Sequence, residues 1–92
     1  MNLEEKSQKF RAELMILEAL VIAMDRREEI FAIIEESTND QQARLDVGEL
    51  LGIDEVQVSA IFDMQVRRFT PTQRRTIEQH ISLLNEELGS LG

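Results

Sequence analysis

Two seams of apolar residues, one at each end of the chain, constrain the fold more than any other feature of the sequence. In both seams the spacing alternates between four and three residues, which is the heptad pattern of helices that pair as a coiled coil. The first seam consists of Phe10, Leu14, Leu17, Val21 and Met24, and the second of Ile77, Ile81, Leu84 and Leu88. We therefore predict two long helices, within residues 1–24 and 71–92, that pair as a stem.

Residues 25–70 are predicted to form a knob of three short helices. The knob returns the chain to its start, so the two stem helices should run antiparallel. The first two knob helices are expected over about residues 27–37 and 40–51, where apolar residues recur at helical spacing. The predicted buried face of the first consists of Ile30, Phe31, Ile33 and Ile34. The predicted fold class is all-α, in a single domain over residues 1–92.

Residues that commonly cap helices mark where these elements start and stop. Asn39 or Asp40 can cap the second knob helix, and Gly52 can end that helix in the left-handed conformation. Asp54 can cap the third knob helix, with Gln57 completing a capping box. The same kind of signal precedes the last helix, in the form of Thr70, Pro71 and Gln73.

The third knob helix, predicted to run to about Phe69, is apolar on more than one side. One stripe is formed by Val58, Ile61, Phe62, Val66 and Phe69, whereas Ala60 and Met64 face away from it. In a short chain, a second copy of the chain is the simplest cover for the surface that remains. The predicted dimer interface consists of Val58, Ile61, Phe62, Met64, Gln65, Val66 and Phe69.

The composition excludes several classes of site. The chain has no cysteine, which rules out disulfides and thiolate metal sites. Its single histidine, His80, has no second histidine or carboxylate cluster at metal-ligand spacing, so we expect no metal and no cofactor. No apolar run approaches the roughly 18 residues of a membrane span, and the N-terminus does not resemble a secretory signal. We expect a cytoplasmic protein without membrane contact.

Acidic residues dominate the centre of the chain. The formal net charge of the whole chain is −8, and ten acids with a single base, Arg44, lie between Glu28 and Asp63. Because an acidic surface repels phosphate, we expect no direct binding of nucleic acid. The acidic centre is either a solvated face or a surface for a basic partner, as in a protein that mimics DNA.

Two co-linear segments resemble the A subunits of bacterial type IIA topoisomerases, DNA gyrase and topoisomerase IV. They are ILEALVIAMDRREEIFAIIEES (Ile16–Ser37) and LLGIDEVQVSAIFDMQVRRFT (Leu50–Thr70). The second segment contains the Ala-Ile-x-Asp-Met core and the Arg-Arg-x-Thr ending of the family. The resemblance implies an exit gate, or C-gate, in which two subunits join through a helical knob at the end of an antiparallel coiled coil.

The resemblance does not extend to the residues that cleave DNA. The family uses a tyrosine on a separate domain, whereas this chain contains no tyrosine. We therefore expect no enzymatic activity, and a stem that is shorter than that of the family. At the expected gate surface, Gln65 and Val66 replace the Arg and Leu of the family. These changes affect pairing with a full-length A subunit more than they affect the fold.

These features predict a non-catalytic homodimerisation module. The expected partners are a second copy of the chain and a topoisomerase A subunit that the module modulates through gate pairing. The alternative is an acidic regulator or DNA mimic that acts on a DNA-binding protein, and a purely structural dimer is a third interpretation. Salt separates the first two, because binding to a basic partner weakens as salt rises whereas apolar gate pairing persists.

Overall fold

The computed structural model describes residues 2–64 and 70–91. All regular structure within these ranges is helical, which confirms the all-α prediction for this part of the chain. The helices are α1 (Leu3–Asp25), α2 (Arg27–Glu36), α3 (Asp40–Leu51), α4 (Glu55–Asp63) and α5 (Pro71–Leu91). Along the chain, two long helices therefore flank three short ones, in the predicted order.

Local capping chemistry places the helix boundaries. The side-chain oxygen of Asn39 accepts a hydrogen bond from the backbone N–H of Gln42 at 2.9 Å, so Asn39 is the cap of α3. Gly52 ends α3 with φ 66° and ψ 40°, the left-handed conformation that glycine adopts without strain. Asp54 and Gln57 form the predicted capping box at the start of α4. These predictions are confirmed.

The third knob helix is predicted to continue to about Phe69. This prediction is wrong at Met64, which is not helical. Helix α4 ends at Asp63, and Met64 has an extended backbone with φ −69° and ψ 128°. From that position the Met64 side chain packs against the core. Packing against the rest of the knob has overridden the local helical pattern. The remainder of the predicted helix, residues 65–69, lies outside the described residues.

Helices α1 and α5 pack along the two predicted seams. Leu17, Met24, Ile77 and Leu84 are buried in one apolar cluster, and Phe10, Leu14, Val21 and Ile81 pack partly buried against it. Leu88 is partly buried. Two polar contacts, the ion pair of Asp25 with Arg74 at 2.5 Å and the contact of Glu13 with His80 at 3.0 Å, show that α5 runs antiparallel to α1. Supercoiling of this pair stays a prediction.

The knob is joined to the stem through the C-terminal half of α1. Ala19, Ala23 and Met24 of that helix share a buried cluster with Ile30, Val47 and Ile61 of the knob. In addition, the Gln57 side-chain amide donates to the backbone carbonyl of Met15 at 2.9 Å. The residue that completes the α4 capping box therefore also fixes the start of α4 against α1.

Helices α3 and α4 approach each other closely at Gly48. A Cβ atom at this position would lie 3.3 Å from Cγ2 of Val58, which is tight contact. A glycine inside a helix costs about 1 kcal/mol relative to alanine, and this close approach accounts for its presence. A groove lies on the surface between α3 and α4.

Candidate interaction surface

Helix α2 exposes apolar side chains that the sequence pattern had placed in the interior. Ile30 is 3% exposed, whereas Phe31 is 50% and Ile34 is 38% exposed. The prediction that Ile30, Phe31, Ile33 and Ile34 form a buried face is therefore wrong for Phe31 and Ile34.

The helical rotation explains this division. At about 100° per residue, Ile33 lies about 60° to one side of Ile30, whereas Ile34 and Phe31 lie about 40° and 100° to the other. Such an apolar arc is too wide for one contact with the core. Ile33 packs partly buried against the core, and the other edge of the arc reaches the surface. The width of the arc was the signal in the sequence that could have identified Phe31 and Ile34.

The end of α4 joins these side chains in a small apolar groove, here called the α2/α4 groove. Its volume is about 160 Å³. The groove is lined by Ala23, Arg27, Ile30, Phe31, Ile34, Ile61, Phe62 and Met64. Ala23, Ile30 and Ile61 are buried, whereas Phe62 and Met64 are partly exposed. Among the described residues that line it, Arg27 is the only charged one.

Arg44 of α3 contacts the ring of Phe62. Its guanidinium carbon lies 4.8 Å from the centroid of the Phe62 ring, which is a cation–π contact. The same guanidinium donates to the hydroxyl of Ser59 at 3.3 Å. Because Ser59 and Phe62 are both on α4, Arg44 links α3 to the surface that Phe62 presents.

The structure divides the predicted interface residues into three groups. Val58 and Ile61 are 3% and 7% exposed, so in this structure the chain's own core covers them. Their assignment to a dimer interface stays a prediction. Phe62 and Met64 remain partly accessible. Gln65, Val66 and Phe69 lie outside the described residues.

The described polar contacts of the stem lie at its surface. His80 pairs with Glu13 on the surface of α1 and α5. Arg74 hydrogen-bonds to Glu78 and to Asp25, and these two contacts, in that order, raise the pKa of Arg74. Over residues 2–64 and 70–91, no group of three or more histidine and acidic side chains could hold a metal ion.

No helix in the described ranges is both long and apolar enough to cross a membrane.

Comparison with known proteins gives a consistent result. The family model for the A subunit of DNA gyrase and topoisomerase IV matches residues 1–92. The chain is 38% identical to the DNA gyrase A subunit of Campylobacter jejuni over 84 residues. It is 39% identical to that of Mycobacterium leprae over 77 residues and 33% identical to that of Clostridium acetobutylicum over 84 residues.

The alignments cover most of this chain but little of each relative. They span 91%, 84% and 91% of the chain, in the same order of organisms. They span 10%, 6% and 10% of the relatives. The chain therefore corresponds to about a tenth or less of the length of the curated relatives it matches.

Proposed function

Because this chain belongs to the family of DNA gyrase and topoisomerase IV A subunits, we propose that it acts in protein–protein association, through a knob that pairs with a second copy. In this proposal the chain is the exit-gate segment of the family, and α1 with α5 is the stem that carries the knob. The role is non-catalytic, since the segment contributes an interface and no reacting group.

The α2/α4 groove is the observation that carries this proposal. Exposed apolar side chains are ordinary when they are scattered, but a contiguous group on a small domain is typical of an interaction site. Phe31 and Ile34 from α2 adjoin Phe62 and Met64 from the end of α4, and all four line the same groove. We assign this group as the apolar centre of the interface.

The α2/α4 groove supplies part of the free energy that a dimer needs. Burying a Phe, Ile or Met side chain contributes about 1.5–3 kcal/mol. In a two-fold dimer each contact occurs twice. These gains have to exceed an association cost of about 4–15 kcal/mol, so the groove alone gives a modest affinity. A stable interface of about 800 Å² per partner needs further surface around this centre.

Single substitutions in the groove test the assignment. Phe62→Asp or Met64→Asp should weaken dimerisation by several kcal/mol, because an unpaired carboxylate would be desolvated at the interface. Sedimentation equilibrium measures the dissociation constant, and circular dichroism checks the fold. Leu83→Asp is the matched control, since Leu83 is 60% exposed on α5, away from the knob. If both groove variants dimerise like the control, the interface lies elsewhere.

The second part of the proposal is pairing with a full-length topoisomerase A subunit. A chain that shares the gate segment can exchange into, or dock on, the gate of the larger protein. Co-purification with a tagged A subunit from the same organism, and altered supercoiling of a plasmid by the complete enzyme, are the expected results. Failure to co-purify, together with unchanged supercoiling, would contradict this part while leaving homodimerisation intact. DNA cleavage by the chain alone would contradict the non-catalytic role.

A further inference from the structure

A second groove lies between α3 and α4. It has a volume of about 510 Å³, within the usual range of about 300–1,000 Å³ for binding clefts. Its lining is Gln41, Arg44, Leu45, Gly48, Glu49, Ile53, Asp54, Glu55, Val58 and Ser59. Within this α3/α4 groove, Gly48 lies close to the Val58 side chain, since a Cβ at Gly48 would be 3.3 Å from Cγ2 of Val58.

Large apolar side chains line the α3/α4 groove. Leu45 of α3 lines it and is 56% exposed. Ile53, in the turn between α3 and α4, also lines it and is partly exposed. A groove between two helices with accessible apolar side chains along it is the geometry that accepts an amphipathic helix.

The charges around the groove determine which kind of helix fits. Three acids, Glu49, Asp54 and Glu55, line it. The Asp54 carboxylate accepts from the Gln57 backbone at 2.9 Å, whereas Glu49 and Glu55 are exposed and form no ion pair within the described ranges. The one base in the lining, Arg44, already stacks on Phe62 and donates to Ser59. The described rim of the groove is therefore acidic, because Arg44 already contacts Phe62 and Ser59.

We propose that the α3/α4 groove binds an amphipathic helix of a partner protein, with leucine-like residues on its apolar face and lysine or arginine beside them. The apolar face covers Leu45 and Ile53, and the basic residues pair with Glu49 and Glu55. This site is separate from the α2/α4 groove and does not depend on dimerisation.

The same charges disfavour the other occupants. A second copy docked symmetrically in this groove would bring its own acidic rim against this one, and like charges at an interface cost several kcal/mol, a loss of about a hundredfold or more in affinity. Nucleic acid is repelled for the same reason. A basic helix is the occupant for which both the apolar and the charged parts of the groove are complementary.

A synthetic peptide tests the proposal without knowledge of the natural partner. The probe is a fluorescein-labelled amphipathic peptide of about 14 residues, made of leucine and lysine, which is close to four helical turns. A scrambled peptide of the same composition has the same charge but no apolar face. Fluorescence anisotropy at low and moderate salt measures both dissociation constants for the full chain. The amphipathic peptide should bind about tenfold more tightly than the scrambled one.

Matched variants locate the binding site. Leu45→Ser should weaken binding of the amphipathic peptide about tenfold, because it removes apolar contact. The double variant Glu49→Lys and Glu55→Lys should weaken it by a similar factor at low salt and by less at moderate salt. Leu83→Ser and Glu86→Lys are exposed controls on α5 and should leave the affinity within about twofold. Circular dichroism confirms that each variant is folded.

Three outcomes would overturn the proposal. Equal affinity for the amphipathic and scrambled peptides would mean attraction of charge alone. Equal effects of Leu45→Ser and Leu83→Ser would place the site elsewhere. A fall in the solution mass of Leu45→Ser, relative to the unaltered chain, would make this groove an interface between copies. Loss of peptide binding with an unchanged mass supports the proposal, and it does so whether or not the α2/α4 groove forms a dimer.

Discussion

The stem and the knob differ in how their apolar side chains are arranged at the surface. In the stem, α1 and α5 bury a narrow stripe against each other, and the exposed apolar residues, such as Leu3 and Leu83, are scattered. In the knob, α2 and α4 carry more apolar residues than their core contacts can cover. Phe31, Ile34 and Phe62 of these helices adjoin one another in the α2/α4 groove, together with Met64. Stem residues should therefore act mainly on folding, and exposed knob residues mainly on association.

The largest expected effect concerns two neighbouring leucines of the stem. Leu84 is 5% exposed and Leu83 is 60% exposed. Leu84→Ala should lower the free energy of unfolding by about 2–5 kcal/mol, since it leaves a cavity in the core. Leu83→Ala should change it by less than about 0.5 kcal/mol. Urea unfolding at one protein concentration measures both, and equal losses would mean that the seam of α5 is wrongly placed.

Ile34 tests whether exposed knob residues act mainly on association. Because Ile34 is 38% exposed at the edge of the α2/α4 groove, Ile34→Ala should raise the dimer dissociation constant about tenfold, or about 1.4 kcal/mol. Unfolding of the monomer, measured at concentrations below that constant, should change much less. A variant that loses stability but keeps its self-association would remove the distinction between stem and knob.

Arg44 connects the core of the knob with its surface. Arg44→Ala removes the cation–π contact with Phe62 and the hydrogen bond to Ser59. We expect dimerisation to weaken by about 0.5–1 kcal/mol, because Phe62 loses the contact that orients it. Arg44→Lys keeps the charge without the planar guanidinium and should restore only part of the affinity. Sedimentation equilibrium of the three proteins measures this, and full affinity in Arg44→Ala would exclude the orienting role.

The smallest effect is expected at the stem surface. His80 and Glu13 form an exposed polar contact, with side chains 46% and 42% accessible. His80→Ala should change the free energy of unfolding by at most about 1 kcal/mol, because exposed pairs gain little in water. A larger loss in urea unfolding would mean that polar contacts, and not the buried seam, hold α5 against α1.

Features set by neighbouring residues could be predicted from the sequence. The caps at Asn39 and Asp54 depend on side chains that bond to the backbone three residues ahead, and Gly52 takes a conformation that other residues adopt with strain. The seam residues Leu17 and Leu84 were also predictable, because a long heptad pattern specifies one helix face. All of these are read within one helix or one turn.

Features set by packing between helices could not be predicted in the same way. The end of α4 at Asp63 has no glycine or proline signal, and Met64 leaves the helix to pack on the core. Val58 and Ile61 were assigned to a surface because their stripe alone does not reveal that α1 and α3 cover it. The exposure of Phe31 was readable in principle from the wide apolar arc of α2. The position of the dimer interface itself stays a prediction.

The most direct test of the central claim is the mass of the unaltered chain in solution, measured by light scattering on a sizing column over a range of concentrations. The chain mass is 10.6 kDa. We predict a mass that approaches twice this value as concentration rises, and that persists in high salt because the contact is apolar. A mass that stays at 10.6 kDa at every concentration would contradict pairing through the α2/α4 groove.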